Sequence, residues 1–172
     1  MRRIALACFV MSAATAAFAG NMSLTLNGLP AVQLTGFSTG ASNPGVVVSG
    51  GGAGAGKVNF KEFRFTATQS SATPMLMVKV STGAHIPGGT VQVRSLDGSR
   101  LVAQWDLTDV LVSSVDVTNG APGTKEKTTD FFATPETSFS LQFAKYCYKV
   151  FAADGTTVAS QMCFDVASNT AG

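Results

Sequence analysis

The sequence predicts a mainly β fold: a compact antiparallel barrel or sandwich of seven to eight short strands with one short α-helix on its side. Three observations carry this. Short runs of alternating apolar and polar residues recur along the chain. Turn signals such as Asp97-Gly98 and Asp154-Gly155 separate them. Only one segment has matched helix start and stop signals. With 172 residues the chain is long enough for one domain with a real core.

The N-terminus stands apart from that domain. Met1-Arg2-Arg3 is a short basic start, Ile4 to Ala17 is almost wholly apolar, and Ala17-Phe18-Ala19 offers small residues at the −3 and −1 positions. The pattern reads as a secretory signal peptide over residues 1–19, cut after Ala19, with a single domain over residues 20–172. A short membrane anchor is the other reading, but the apolar run is shorter than the ~20 residues a spanning helix needs. No later segment is apolar enough to span. The protein is therefore expected in the periplasm or outside the cell, without stable membrane insertion. Losing Arg2 and Arg3 takes Lys+Arg from 12 to 10, against 10 Asp+Glu. A near-neutral mature chain lacks the concentrated basic patch of a nucleic-acid binder.

The elements follow in order. Ser23 to Leu26 is a short strand closed by "NGLP"; Ala31 to Phe37 is a second, with Val32 and Leu34 on one side. Ala41 to Gly56 is a long loop rich in Gly, Ser and Ala, and loops this long are functional or disordered. Lys57 to Gln69 is a third strand. Val58 and Phe60 share one parity, and Phe63, Phe65 and Ala67 the other. That phase change near Lys61-Glu62 means a bulge, or a strand covered on both faces. In "ATPMLMVKVSTG" Thr73 can cap a helix of about two turns, Pro74 fits its first position and Gly83 can end it. Thr90 to Leu96 alternates Val91 and Val93, and Asp97-Gly98 turns the chain into Leu101, Ala103, Trp105 and Leu107. "DVLVSSVDV" continues extended after a bend. Asn119 to Pro135 is a polar loop, Thr137 to Phe151 a long strand, and Thr157 to Val166 returns from Asp154-Gly155.

Export removes Cys8 and leaves Cys147 and Cys163, eight residues to either side of Gly155. A tight turn there places them opposite or nearly so. Cys163 has the parity opposite to Val158, Met162 and Phe164, the expected apolar face of its strand, so both cysteines point away from the core. A cross-strand disulfide closing a loop of about 15 residues is worth ~3 kcal/mol at best; two free thiols are the alternative.

Candidate chemistry is sparse. "VVVSGGGAGAGKV" has the glycine and lysine spacing of a phosphate-binding loop, but Val58 stands where such a loop needs Ser or Thr, and a strand follows where it needs a helix. His85 is the lone histidine, which excludes a histidine-based metal site. Asp106 and Asp109 fall on opposite faces of a strand and suit acid–base work poorly. The expectation is no catalytic residue, no metal and no cofactor.

The second half carries a further pattern. "LTDVLVSSVDVTNG", followed after a loop by "ETSFSLQFAKYCYKVFAADG", resembles the Hcp (haemolysin-coregulated protein) family, the tube subunit of bacterial type VI secretion. The residues that match are Val112-Ser113-Ser114, then Glu136, Ser140, Leu141, Phe143, Ala144 and Lys145. "GKVNFKEFRFTATQSSATPMLMVKVSTGAHI" looks like the family's strand, Pro-started helix and Thr-Gly-x-His-Ile turn, and "TVQVRS" like its next strand. Several pieces in one order, from Ser23 to Gly155, make the match specific. The resemblance implies a compact barrel with a helix on its side, six copies in a ring, and stacked rings that carry cargo. It implies a structural subunit, not an enzyme. By the same likeness the Ala41–Gly56 loop contacts neighbouring subunits or rings, with Val46, Val47 and Val48 as contact residues; a disordered linker is the alternative. The chain departs from the family in its signal peptide, its cysteine pair and Gln142 in place of Asn. The expected function is an exported, ring-forming, non-enzymatic tube-like subunit that associates with itself, with secretion-machine components or with cargo proteins. The alternative is a secreted monomeric β-domain acting as an adhesin or ligand-binding module.

Overall fold

The computed structural model describes residues 21–42, 58–118 and 135–171. Residues 1–19, Val46, Val47, Val48 and most of the Asn119–Pro135 loop lie outside them. The described residues form β1 (Met22–Leu26), β2 (Val32–Ser42), β3 (Asn59–Thr68), α1 (Ala72–Thr82), β4 (Ile86–Arg94), β5 (Leu101–Thr118), β6 (Glu136–Phe151), β7 (Val158–Asp165) and β8 (Thr170–Ala171). The order across the sheet is β3-β2-β1-β4-β5-β6-β7-β8, all antiparallel, and a further β3–β6 pairing closes the first six strands into a barrel. Closure removes the edge where β3 meets β6, while β7 and β8 extend the sheet beyond the barrel.

The barrel interior is filled by the alternating apolar positions. Leu24, Leu26, Val32, Leu34, Phe63, Phe65, Ala67, Val91, Val110, Val112, Phe139 and Leu141 are all buried in one cluster. Phe65 stacks on Phe139 at 5.1 Å across the β3–β6 seam, and on Phe63 at 5.5 Å. The parity change in β3 is a bulge. Gly40 pairs with Lys61 and Ser38 with Arg64, so β3 spends three residues where β2 spends two. The extra residue puts Phe60 and Phe63 into the same aromatic cleft despite their unequal parity. β5 bends at Asp109, which takes φ 52°, a conformation Asp tolerates better than most residues.

The helix differs from expectation at its start. It begins at Ala72 and runs 11 residues, about three turns rather than two. Ser71, not Thr73, stands at the cap position but its side chain caps no amide; Ser70 Oγ accepts from the Ala72 amide at 3.3 Å. Thr73 lies inside the helix with its hydroxyl buried 3.1 Å from that of Thr137 on β6. Pro74 is the third helical residue, still within the first turn where no amide needs a helical acceptor. Gly83 ends the helix in the left-handed conformation, φ 62°. Ala72, Thr73 and Leu76 seat the helix on the barrel.

A second difference concerns β7. Its expected core face is not a core face: Val158 and Met162 are 43% and 45% exposed. β7 pairs with β6 beyond the point where the barrel closes, so no second layer among the described residues covers it. Phe164 alone of that set packs well, 4.7 Å from Phe60.

Candidate functional site

The Val112-Ser113-Ser114 motif is a β-bulge. Val112 pairs with Leu141 and Ser114 with Ser140, so Ser113 is the extra residue of β5. The bulge turns both serines towards a cavity of about 650 Å³ on the outer face of β2, β3, β5 and β6. Its walls carry the hydroxyls of Ser38, Thr66, Ser113, Ser114, Ser138 and Ser140, with Arg64, Glu62 and Asp116 around them. Alternation explains the clustering: Ser138 and Ser140 occupy the positions between the core residues Thr137, Phe139 and Leu141. Glu62 accepts from Gln142 Nε2 at 2.6 Å. Ser113 Oγ is buried without a hydrogen-bond partner among the described residues. The cavity offers many weak hydrogen-bonding groups with two carboxylates and one guanidinium among them.

His85 sits elsewhere, just before β4. Its Nδ1 donates to Asp109 Oδ1 at 2.6 Å, and the side chains are 61% and 53% exposed. Sequence reasoning missed this pair, because only the β4–β5 register and the bend at Asp109 bring them together. Asp106 engages different partners, accepting from Lys149 Nζ at 2.7 Å and Gln104 Nε2 at 2.7 Å. The expected opposite faces do not hold: the buried positions of β5 pass from Leu107 to Val110 across the bend at Asp109, so both aspartates lie off the core side, each with its own partners. Among the described residues no three His, Cys, Asp or Glu side chains gather as a metal site, and no helix is long and apolar enough to cross a membrane.

Cys147 stands directly opposite Cys163 in the β6–β7 ladder, and the two are joined in a disulfide with Cα atoms 4.0 Å apart. Their row continues across the sheet through Asp106 to Thr90. The other face of the same strands is aromatic. Trp105 stacks on Tyr148 at 4.5 Å, Tyr146 meets Phe143 at 5.5 Å, and Phe60 meets Tyr146 at 5.5 Å. Burial raises the Tyr146 phenol above its ordinary pKa.

Comparison with known proteins agrees with this architecture. No curated protein matches the chain. Among solved structures, one described as a type six secretion system protein superposes with a TM-score of 0.72 at 16% identity, covering 88% of this chain and 98% of that one. Hcp1 of Salmonella typhimurium gives 0.67 at 14% identity, with 88% and 98% covered. A type VI secretion system effector of Yersinia pestis gives 0.63 at 17%, with 84% and 98% covered. At such identities the likeness speaks for the fold alone. The sequence itself goes further: residues 30–149 match the family described as type VI secretion system effector, Hcp, a stretch that includes the β3 bulge, the helix, the serine bulge and most of β6, and the chain belongs to that family.

Proposed function

We propose that the chain is a non-enzymatic, tube-type structural subunit that closes into rings of its own copies, with six as the expected number. The observation that carries this reading is the family match over residues 30–149. The surface supports it physically. The outer half of α1 leaves Met75, Met77 and Val78 between 40% and 60% exposed, and Val102 and Val117 on β5 are exposed as well. Such side chains gain stability when they are buried between copies. The Gly-rich Ala41–Gly56 segment, with Val46, Val47 and Val48, is the proposed contact arm, and cargo proteins are the proposed passengers of the assembled rings.

Export through the signal peptide, with release at Gly20, is part of the same proposal. A disulfide at Cys147–Cys163 suits an oxidising compartment. Intact-mass measurement of the exported protein should give a chain beginning at Gly20.

Light scattering on the exported protein at tens of micromolar tests the assembly. A mass near six protomers supports the ring, and a strict monomer overturns it. The second reading, a monomeric ligand-binding module, draws on the hydroxyl-lined cavity beside Ser113. A monomer that binds a polyhydroxylated ligand, with Ser138→Val weakening the binding, would favour that reading.

A further inference from the structure

We infer that the Cys147–Cys163 bond is a redox-held retainer: it keeps β7 on the edge of β6, and its reduction opens that edge while the barrel stays folded. The inference does not depend on ring formation.

The argument starts from β6, which changes partner along its length. Residues Glu136–Leu141 pair with β3 and close the barrel. Residues Lys145–Phe151 pair with β7 instead. The two halves are held very differently. The β3 half is locked by side chains with no exposure to speak of, Phe63, Phe65, Phe139 and Leu141. No residue of β7 is buried, and five of its eight are exposed. Its outer neighbour among the described residues is the two-residue β8.

Besides the ladder, three anchors hold β7 among the described residues. Phe164 packs on Phe60. Asp165 pairs with Lys145 at 2.8 Å, but Lys145 is 59% exposed, and such a surface pair contributes little. The third is the disulfide. It stands in direct register near the centre of the ladder, with both cysteines partly exposed and thus open to a reductant. Ladder bonds at a solvated edge fray easily, and a cross-link in register prevents that fraying by denying the strands their separated states.

Reduction is balanced by any dithiol. Two thiols of the reductant are oxidised to a disulfide, the Cys147–Cys163 S–S bond takes two electrons, and both sulfurs leave as protonated thiols. With β7 free, those amides and carbonyls of Lys145–Phe151 that face it lose their partners beside Tyr146 and Tyr148, while the alternate ones stay paired with β5. An unpaired edge next to apolar surface is a template for a strand from a second copy of this chain.

The test is hydrogen–deuterium exchange with mass spectrometry on the exported protein, before and after treatment with tris(2-carboxyethyl)phosphine, with thiols counted to verify reduction. The Cys147→Ser/Cys163→Ser variant supplies the same state if the bond resists the phosphine. The expected result is amide exchange about 100-fold faster over Val158–Asp165, with protection at Leu24, Val91 and Val110 unchanged. Unchanged exchange in β7 once the bond is absent would overturn the inference. So would loss of protection in β7 and the barrel together, because the bond would then be a support of the whole fold.

Discussion

Lys149 Nζ lies 2.7 Å from Asp106 Oδ2, although the ladder places Lys149 opposite Gln104 and Asp106 opposite Cys147. The lysine reaches diagonally across β5 and β6. Asp106 Oδ1 meanwhile accepts from Gln104 Nε2 at 2.7 Å and Thr90 Oγ1 at 3.3 Å, and Gln92 donates to Gln104 at 3.1 Å. One half-buried carboxylate thus ties three strands together. Asp106→Ala should cost about 2 kcal/mol, because the ammonium and the amide both lose their acceptor. Asp106→Asn should cost about half as much. Urea denaturation measures both, and adding Lys149→Met to Asp106→Ala should recover part of the loss.

Gly89 and Gly155 are fixed by close approach. A Cβ on Gly89 would stand 2.8 Å from Thr25 O and 2.6 Å from Leu26 Cδ2. The first of these is backbone in the β1–β4 ladder and cannot swing aside. Gly155 adds a left-handed φ of 70° to a Cβ position 2.8 Å from Arg100 Cβ. Gly89→Ala and Gly155→Ala should each cost about 1–3 kcal/mol. Gly98, equally left-handed at 73° but open to solvent, should cost about 1 kcal/mol when changed to Ala. Thermal melts of the three variants would show whether the crowding or the backbone conformation dominates.

Acid should loosen the turns before the barrel. Three carboxylates are held at a pKa of about 2, below the ordinary 3.8. Asp97 owes this first to the Ser95 hydroxyl and then to Ser99, Asp154 to the hydroxyl of Thr157 and the amides of Thr156 and Thr157, and Asp165 to Lys145 and the Ser168 amide. A depressed folded pKa stabilises above the unfolded value and ceases to do so as pH falls through the folded one. The contribution is therefore full well above pH 4, shrinks below it and is lost as pH falls through about 2. Carboxyl titration by NMR should place all three midpoints below the unperturbed value, and Asp154→Asn should flatten the pH dependence of stability in that window.

The β3–β6 seam should be the most sensitive part of the core. Phe139 is 2% exposed and stacks on Phe65, with Phe63 stacked beyond it. Phe139→Ala should cost about 3–5 kcal/mol. The same change at Phe164, on the uncovered β7, should cost markedly less. Equal losses in denaturant titrations would contradict the view that β7 lies outside the core.

Much of this architecture was legible because it is written locally. Val32 and Leu34, or Phe63, Phe65 and Ala67, announce a strand and its inner face by alternation alone. Gly83 ends the helix and Asp154-Gly155 turns the hairpin because left-handed or tight backbone has few suitable residues. The start of the helix was harder to place. Thr73 carries a capping side chain, but its hydroxyl is drawn to Thr137, a buried partner far along the chain. The serine cavity was not foreseen either. Ser113-Ser114 was visible as a motif, yet only the loss of register between Val112 and Ser114 aims the pair at Ser138 and Ser140.

By itself the sequence determined where strands, turns and the helix fall, which cysteines can meet, and to which family the chain belongs. These depend on spacing within a few residues and on the order of motifs. Tertiary structure alone decided that β6 divides its edge between β3 and β7, that β7 is uncovered by the other described residues, and that His85 pairs with Asp109 while Asp106 pairs with Lys149. The pairing of Phe63 with Leu141 joins residues far apart in the chain, and no local preference in either segment names the other. Such contacts form because closing the barrel buries both partners at once, so they follow from the whole packed shell and not from any one stretch of it.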